Sequence, residues 1–144
     1  MLPTLFGRIQ TRIFLIAVIG GLWALVISPL LPGGGSVSDK YRTMYAVLLI
    51  VLVLGVLWEF VYHGLQQFRW EKDWPTLFGL VLGVPEGVVA YLVARTGVLP
   101  WAEHVSVSAF VVGFGTTWLV TWLWVNGPMR VLSVHWRFRG GRLV

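Results

Sequence analysis

Residues 77–94 read Leu77-Phe78-Gly79-Leu80-Val81-Leu82-Gly83-Val84-Pro85-Glu86-Gly87-Val88-Val89-Ala90-Tyr91-Leu92-Val93-Ala94, an apolar run with Pro-Glu-Gly at its centre. As a helix it is about 27 Å long, close to the ~30 Å hydrocarbon core of a bilayer. Gly79, Gly83, Glu86, Gly87, Ala90 and Ala94 recur at steps of three and four, so a helix gathers them on one face. A strip of small residues lets a neighbouring helix approach closely in lipid. Glu86 lies in that strip, so its carboxyl points into protein. A charge at mid-membrane costs about 2.5–3.5 kcal/mol or more, and the fold must leave it neutral, hydrated or paired.

The rest of the chain agrees with a membrane setting. Only 12% of the 144 residues are charged, 57% are hydrophobic, and mean hydropathy is +0.79, whereas soluble domains are about 25% charged. Four spans are expected, at about 13–31, 44–62, 77–94 and 106–125, forming one all-α membrane domain with short loops and a basic tail over 126–144. The first run is too long for a signal-peptide core and is followed by no A-x-A-like site, so it reads as retained. The second run is apolar on nearly every face and is expected to be the most lipid-exposed. The first should join the bundle through Ala17, Gly21 and Ser28, and the fourth through Ala109, Gly113, Thr117 and Thr121.

Basic residues set the expected orientation. Arg8 and Arg12, Arg69 and Lys72, and four tail arginines fall on one side, against Lys40, Arg42 and Arg95 on the other. The positive-inside rule then puts both termini in the cytoplasm. Arginine outnumbers lysine nine to two, a bias of GC-rich bacteria, and the bacterial plasma (inner) membrane is the expected location. The chain has no cysteine, which excludes disulfides and thiolate metal sites.

Glu86 dominates the expected chemistry. Counting residues from the helix ends puts Thr116 and Thr117 of the fourth span at its depth, and the spans themselves hold no Lys or Arg there. Desolvation without a cation favours the neutral acid, so a protonated Glu86 hydrogen-bonded to the fourth helix is expected. Pro85 removes an N–H and frees the carbonyl of Val81, which favours a kink.

Three further stretches carry weaker signals. Glu59 and His63 are spaced i, i+4 and are expected to hydrogen-bond each other at the membrane boundary, with too few ligands nearby for a metal. Arg69, Trp70, Asp73 and Trp74 pair at i, i+4, so the second helix is expected to continue about two turns past the membrane. Asp73 would cap the third helix, and the aromatic rings would sit at headgroup level. In the tail, Val134, Trp136 and Phe138 alternate with His135, Arg137 and Arg139, which is strand periodicity. Arg130, Arg137, Arg139 and Arg142 are expected to contact anionic lipid or a partner.

Among function classes, no nucleophile–His–acid set, Walker loop, GxGxxG turn or HExxH is present. Nothing suggests nucleic-acid binding, and neither cofactor nor metal is expected. The leading expectation is a non-enzymatic protein acting by association, as an accessory or scaffold subunit joined to other membrane subunits or to itself. The alternative is a small oligomeric transporter or channel using Glu86 for proton or cation coupling, its path lying between subunits. A membrane enzyme or lipid-handling protein using Glu59 and His63 comes third.

Overall fold

In a computed structural model, which describes residues 3–69 and 75–144, those residues are all-helical. Four helices are long and apolar enough to cross a membrane. They are α1, Leu5–Leu30; α2, Val37–Gln67; α3, Thr76–Arg95, which is interrupted at Leu82; and α5, Val107–Asn126. Short helices follow α3 (α4, Pro100–Glu103) and α5 (α6, Pro128–Leu132, and α7, Val134–Phe138).

α1 begins eight residues earlier than the apolar run alone suggests. Thr4 caps it by accepting from the Gly7 N–H, and the first turns are an amphipathic helix that carries Arg8 and Arg12. Over Leu15–Gly20 the winding is π-helical, which inserts an extra residue per turn and rotates the face that follows. The buried small residues are therefore Gly20, Ala24 and Ser28. This corrects the expected Ala17–Gly21–Ser28 face: Ala17 is exposed, and space is open beside Gly21.

α2 starts from a capping box, with Ser36 and Asp39 bonding reciprocally. Tyr41 and Tyr45 donate to the Leu25 and Gly21 carbonyls of α1. Far from being the most lipid-exposed span, α2 buries 44% of its most apolar window, against 22%, 28% and 22% for α1, α3 and α5. An apolar surface suits lipid and protein interior alike, so periodicity could not distinguish the two. α2 packs against both α1 and α3, and α5 against both on the other side.

The glycines of α3 serve a different purpose from close helix approach. A Cβ at Gly83 would lie 2.6 Å from Trp118 Cε2, and one at Gly87 2.7 Å from Phe114 Cε1. They are sockets for aromatic side chains of α5, where Phe110, Phe114 and Trp118 stack in succession. The Trp118 indole N–H also donates to the Gly79 carbonyl. Gly113 of α5 receives Met44 and Leu31, and Gly20 of α1 lies against Thr117. Ala109 is half-buried on the same face as Gly113.

The two ends of the chain interlock. Thr4 N–H donates to Gly140 O (2.9 Å), Thr11 Oγ1 to Gly141 O (3.0 Å), Trp136 Nε1 to Thr11 Oγ1 (2.8 Å) and Leu143 N–H to Gln10 Oε1 (2.8 Å). Gly7 has to be glycine here, because a Cβ would overlap Gly140 O and lie 2.7 Å from Gly141 C. The expected tail strand is accordingly replaced by α7, with Trp136 buried. Alternation over six residues is too short to fix a strand once a buried indole and a glycine turn at Gly140–Gly141 set the path.

Candidate functional site: a vestibule closed by an arginine–glutamate network

A cavity of about 240 Å³ lies at the end where both termini gather, with room for about eight waters at ~30 Å³ each. All four long helices line it: Arg8 and Arg12 from α1, Glu59 from α2, Glu86 from α3 and Trp118 from α5. Arg130 and Trp136 line it from the tail. The volume lies within a single chain.

Its inner end is a network of charges. The Arg12 guanidinium grips Glu86 with both terminal nitrogens, at 3.1 Å each, and its Nε donates to Glu59 Oε1 at 2.8 Å. Arg8 donates to Glu59 Oε2 at 3.4 Å and to Gln66 Oε1 at 2.8 Å. Tyr62 donates to Glu86 Oε1 at 2.7 Å. The Glu86 side chain is 3% exposed and that of Arg12 11%, so the pair is screened from solvent, where a two-pronged Arg–carboxylate contact is strongest. The Trp118 ring lies under the guanidinium at 5.2 Å, adding a cation–π contact.

Local sequence explains each position. Glu86 is ten residues into α3, about 15 Å from its start, and Arg12 about 10 Å into α1, so the network sits well inside the bundle. Gly55 makes room for it: a Cβ there would stand 3.1 Å from Arg12 Cδ, so the arginine stem lies across a gap in α2. Gly55, Glu59, Tyr62 and Gln66 fall on one helical face, and all four are buried. The interruption of α3 at Leu82 coincides with the hydrogen bond that Pro85 withholds from the Val81 carbonyl.

The expected environment of Glu86 is thus overturned. Its two oxygens accept from three donor atoms, and the partners are a cation and a phenol on α1 and α2. Thr116 donates to Val112 O and accepts from Trp23, while Thr117 donates to Gly113 O. Their hydroxyls serve their own helix and α1. The cation was missed because Arg8 and Arg12 precede the apolar run and were counted as a cytoplasmic head.

Glu59 and His63 do not pair. Glu59 is taken by the two arginines, and the buried His63 Nδ1 has no hydrogen-bond partner among the described residues. Arg69 lies beyond the end of α2 with its guanidinium 5.6 Å from the Phe78 ring. Trp70, Asp73 and Trp74 lie outside the described residues. Pro75 stands at the cap position of α3. The tail arginines 130, 137, 139 and 142 are exposed; Arg142 stacks on Phe6 and Arg130 donates to Asn126 Oδ1.

Comparison with known protein families, curated proteins and solved structures finds no match to this chain. Its function is read from the geometry alone.

Proposed function

We propose that this protein is a small multi-pass membrane protein that binds and moves a polar solute or ion, with the Arg12–Glu86 pair as its coupling site. One observation carries the reading: a cavity at the end of the bundle where the termini gather, walled mostly by apolar atoms, stops on a buried ion pair held by side chains from α1, α2 and α3. Ionisable groups inside a membrane bundle mark substrate and ion pathways. Glu86 has an exchangeable set of partners, since Tyr62 still holds it when Arg12 turns away. A proton delivered through the vestibule can then replace the guanidinium as the group that neutralises it.

We place the protein in the bacterial plasma membrane with the vestibule facing the cytoplasm. With Arg8 and Arg12 drawn into the bundle, six basic residues of the 63–76 connector and tail still stand against three on the other side.

The test is proton movement in liposomes containing a pH-sensitive dye, under an imposed potential. Wild type should pass protons faster than empty liposomes, and Glu86→Gln should fall to their level. Equal flux from wild type and Glu86→Gln would remove Glu86 as the coupling site.

The association reading keeps one favourable observation. An apolar groove of about 420 Å³ runs along the outer side of α3 and α5, past Val84, Val88, Val111 and Leu119, and Gly115 beside it faces open space. The glycine faces and the tail backbone are less free for association, because both are engaged within the chain. Crosslinking in native membranes that leaves the protein monomeric would exclude it.

A further inference from the structure

The charges around the vestibule are unequal. Arg8, Arg12 and Arg130 line it, against Glu59 and Glu86. Both carboxylates are already engaged by guanidinium groups, so a cation arriving there meets arginine first. Arg130 is an exposed lining residue, and the one hydrogen bond of its side chain among the described residues goes to a neutral amide, Asn126. Trp122 and Trp136 add to a mostly apolar wall, and the interior holds about eight waters' volume, the scale of a small anion with its hydration rather than of a large organic molecule.

The inner network is built so that Arg12 can be released. Glu59 has a second cation in Arg8, and Glu86 has a second donor in Tyr62. The two Arg12 nitrogens that now hold Glu86, Nη1 and Nη2, form the fork that recognises a carboxylate or phosphate end-on.

We infer that the vestibule is a binding site for a small oxoanion, a phosphate or carboxylate group, received by Arg130 and held at the floor by Arg12 in competition with Glu86. This deepens the proposed function and rests on its vestibule; it replaces a coupled cation with an anionic substrate.

The competition gives variants of opposite sign. Protein in phosphatidylcholine nanodiscs is titrated with inorganic phosphate, with sodium chloride at matched ionic strength as the blank, and tryptophan fluorescence is followed, since Trp118, Trp122 and Trp136 line the cavity. Wild type should show a saturable response. Arg130→Gln should weaken it about tenfold, and Glu86→Gln should tighten it at least threefold by freeing the Arg12 fork. A second set of nanodiscs containing 20% phosphatidic acid separates the sources. If that lipid alone produces the response, and Arg130→Gln reduces it, the oxoanion is a lipid headgroup.

Two results would overturn the inference: responses to phosphate and to phosphatidic acid no larger than the chloride blank, or weaker binding in Glu86→Gln with Arg130→Gln unchanged. Proton flux that still depends on Glu86 while no anion binds would leave the coupling site standing and remove only the anion.

Discussion

The ion-pair network makes a quantitative prediction about Arg12. Its guanidinium forms three hydrogen bonds to two carboxylates, at 2.8, 3.1 and 3.1 Å. At ~4 Å between charges and an effective dielectric of about 20, each pair is worth roughly 4 kcal/mol before desolvation. Arg12→Met removes both pairs but does not harm the two acids equally. Glu59 keeps Arg8, at 3.4 Å, whereas among the described residues Glu86 keeps only the Tyr62 hydroxyl. The loss should therefore match an orphaned buried charge at Glu86, about 3–5 kcal/mol. Arg8→Met should cost less, about 1–2 kcal/mol, because Glu59 retains its shorter bond to Arg12 and the main loss is a charge-assisted bond to Gln66. Adding Glu86→Gln to Arg12→Met removes the orphaned charge, and the double variant should be about 1–2 kcal/mol more stable than Arg12→Met alone. Reversible SDS titration in mixed micelles, followed by tryptophan fluorescence, measures all four corners of this cycle. Costs that simply add, or an Arg12→Met loss below about 1 kcal/mol, would refute the idea that Arg12 exists to neutralise Glu86.

Other consequences follow from single contacts. Gly7→Ala should separate the two chain ends, since the new Cβ overlaps the Gly140 carbonyl; a loss of about 2–4 kcal/mol is expected from several weakened hydrogen bonds, visible as proteolysis of the tail at concentrations of protease that spare wild type. Gly55→Val should mimic Arg12→Met in the same titration because it fills the gap over which the arginine stem lies, and a near-neutral result would mean the stem has room elsewhere. His63→Leu should be neutral or stabilising by up to about 1 kcal/mol, since it removes a buried nitrogen with no hydrogen-bond partner among the described residues. A large loss there would restore a structural bond to His63.

What could be read from the sequence, and what could not, divides along a physical line. Four apolar runs of bilayer length are a property of composition, and the four long helices coincide with them. The face of α3 that carries Gly83, Glu86, Gly87, Ala90 and Ala94 follows from helical period and is the buried face. The partners of that face do not follow. Lipid and protein interior have the same polarity, so the apolar surface of α2 carried no mark of its central position, and Gly55, a lone small residue among Val and Leu, was the only local sign. Glycine spacing likewise shows that something approaches closely, without showing whether it is a backbone or, as at Gly83 and Gly87, an aromatic ring.

The hardest element was the cation, and the reason bears on function. Arg12 meets Glu59 and Glu86 across 47 and 74 residues of chain, and the rule that assigns arginines near helix ends to the cytoplasmic surface removed it from consideration as their partner. Yet two acids buried in apolar helices demand compensation, and the only cations within two helical turns of an apolar run on their side are Arg8, Arg12, Arg69, Lys72 and Arg130. Two of those five close the vestibule and a third lines it. Burial of the charges alone would not call for open volume beside the pairs. Here they line a cavity, and in the proposed exchange Glu59 keeps Arg8 while Glu86 keeps the neutral Tyr62 hydroxyl, so release of Arg12 needs a proton or another donor to take its place at Glu86.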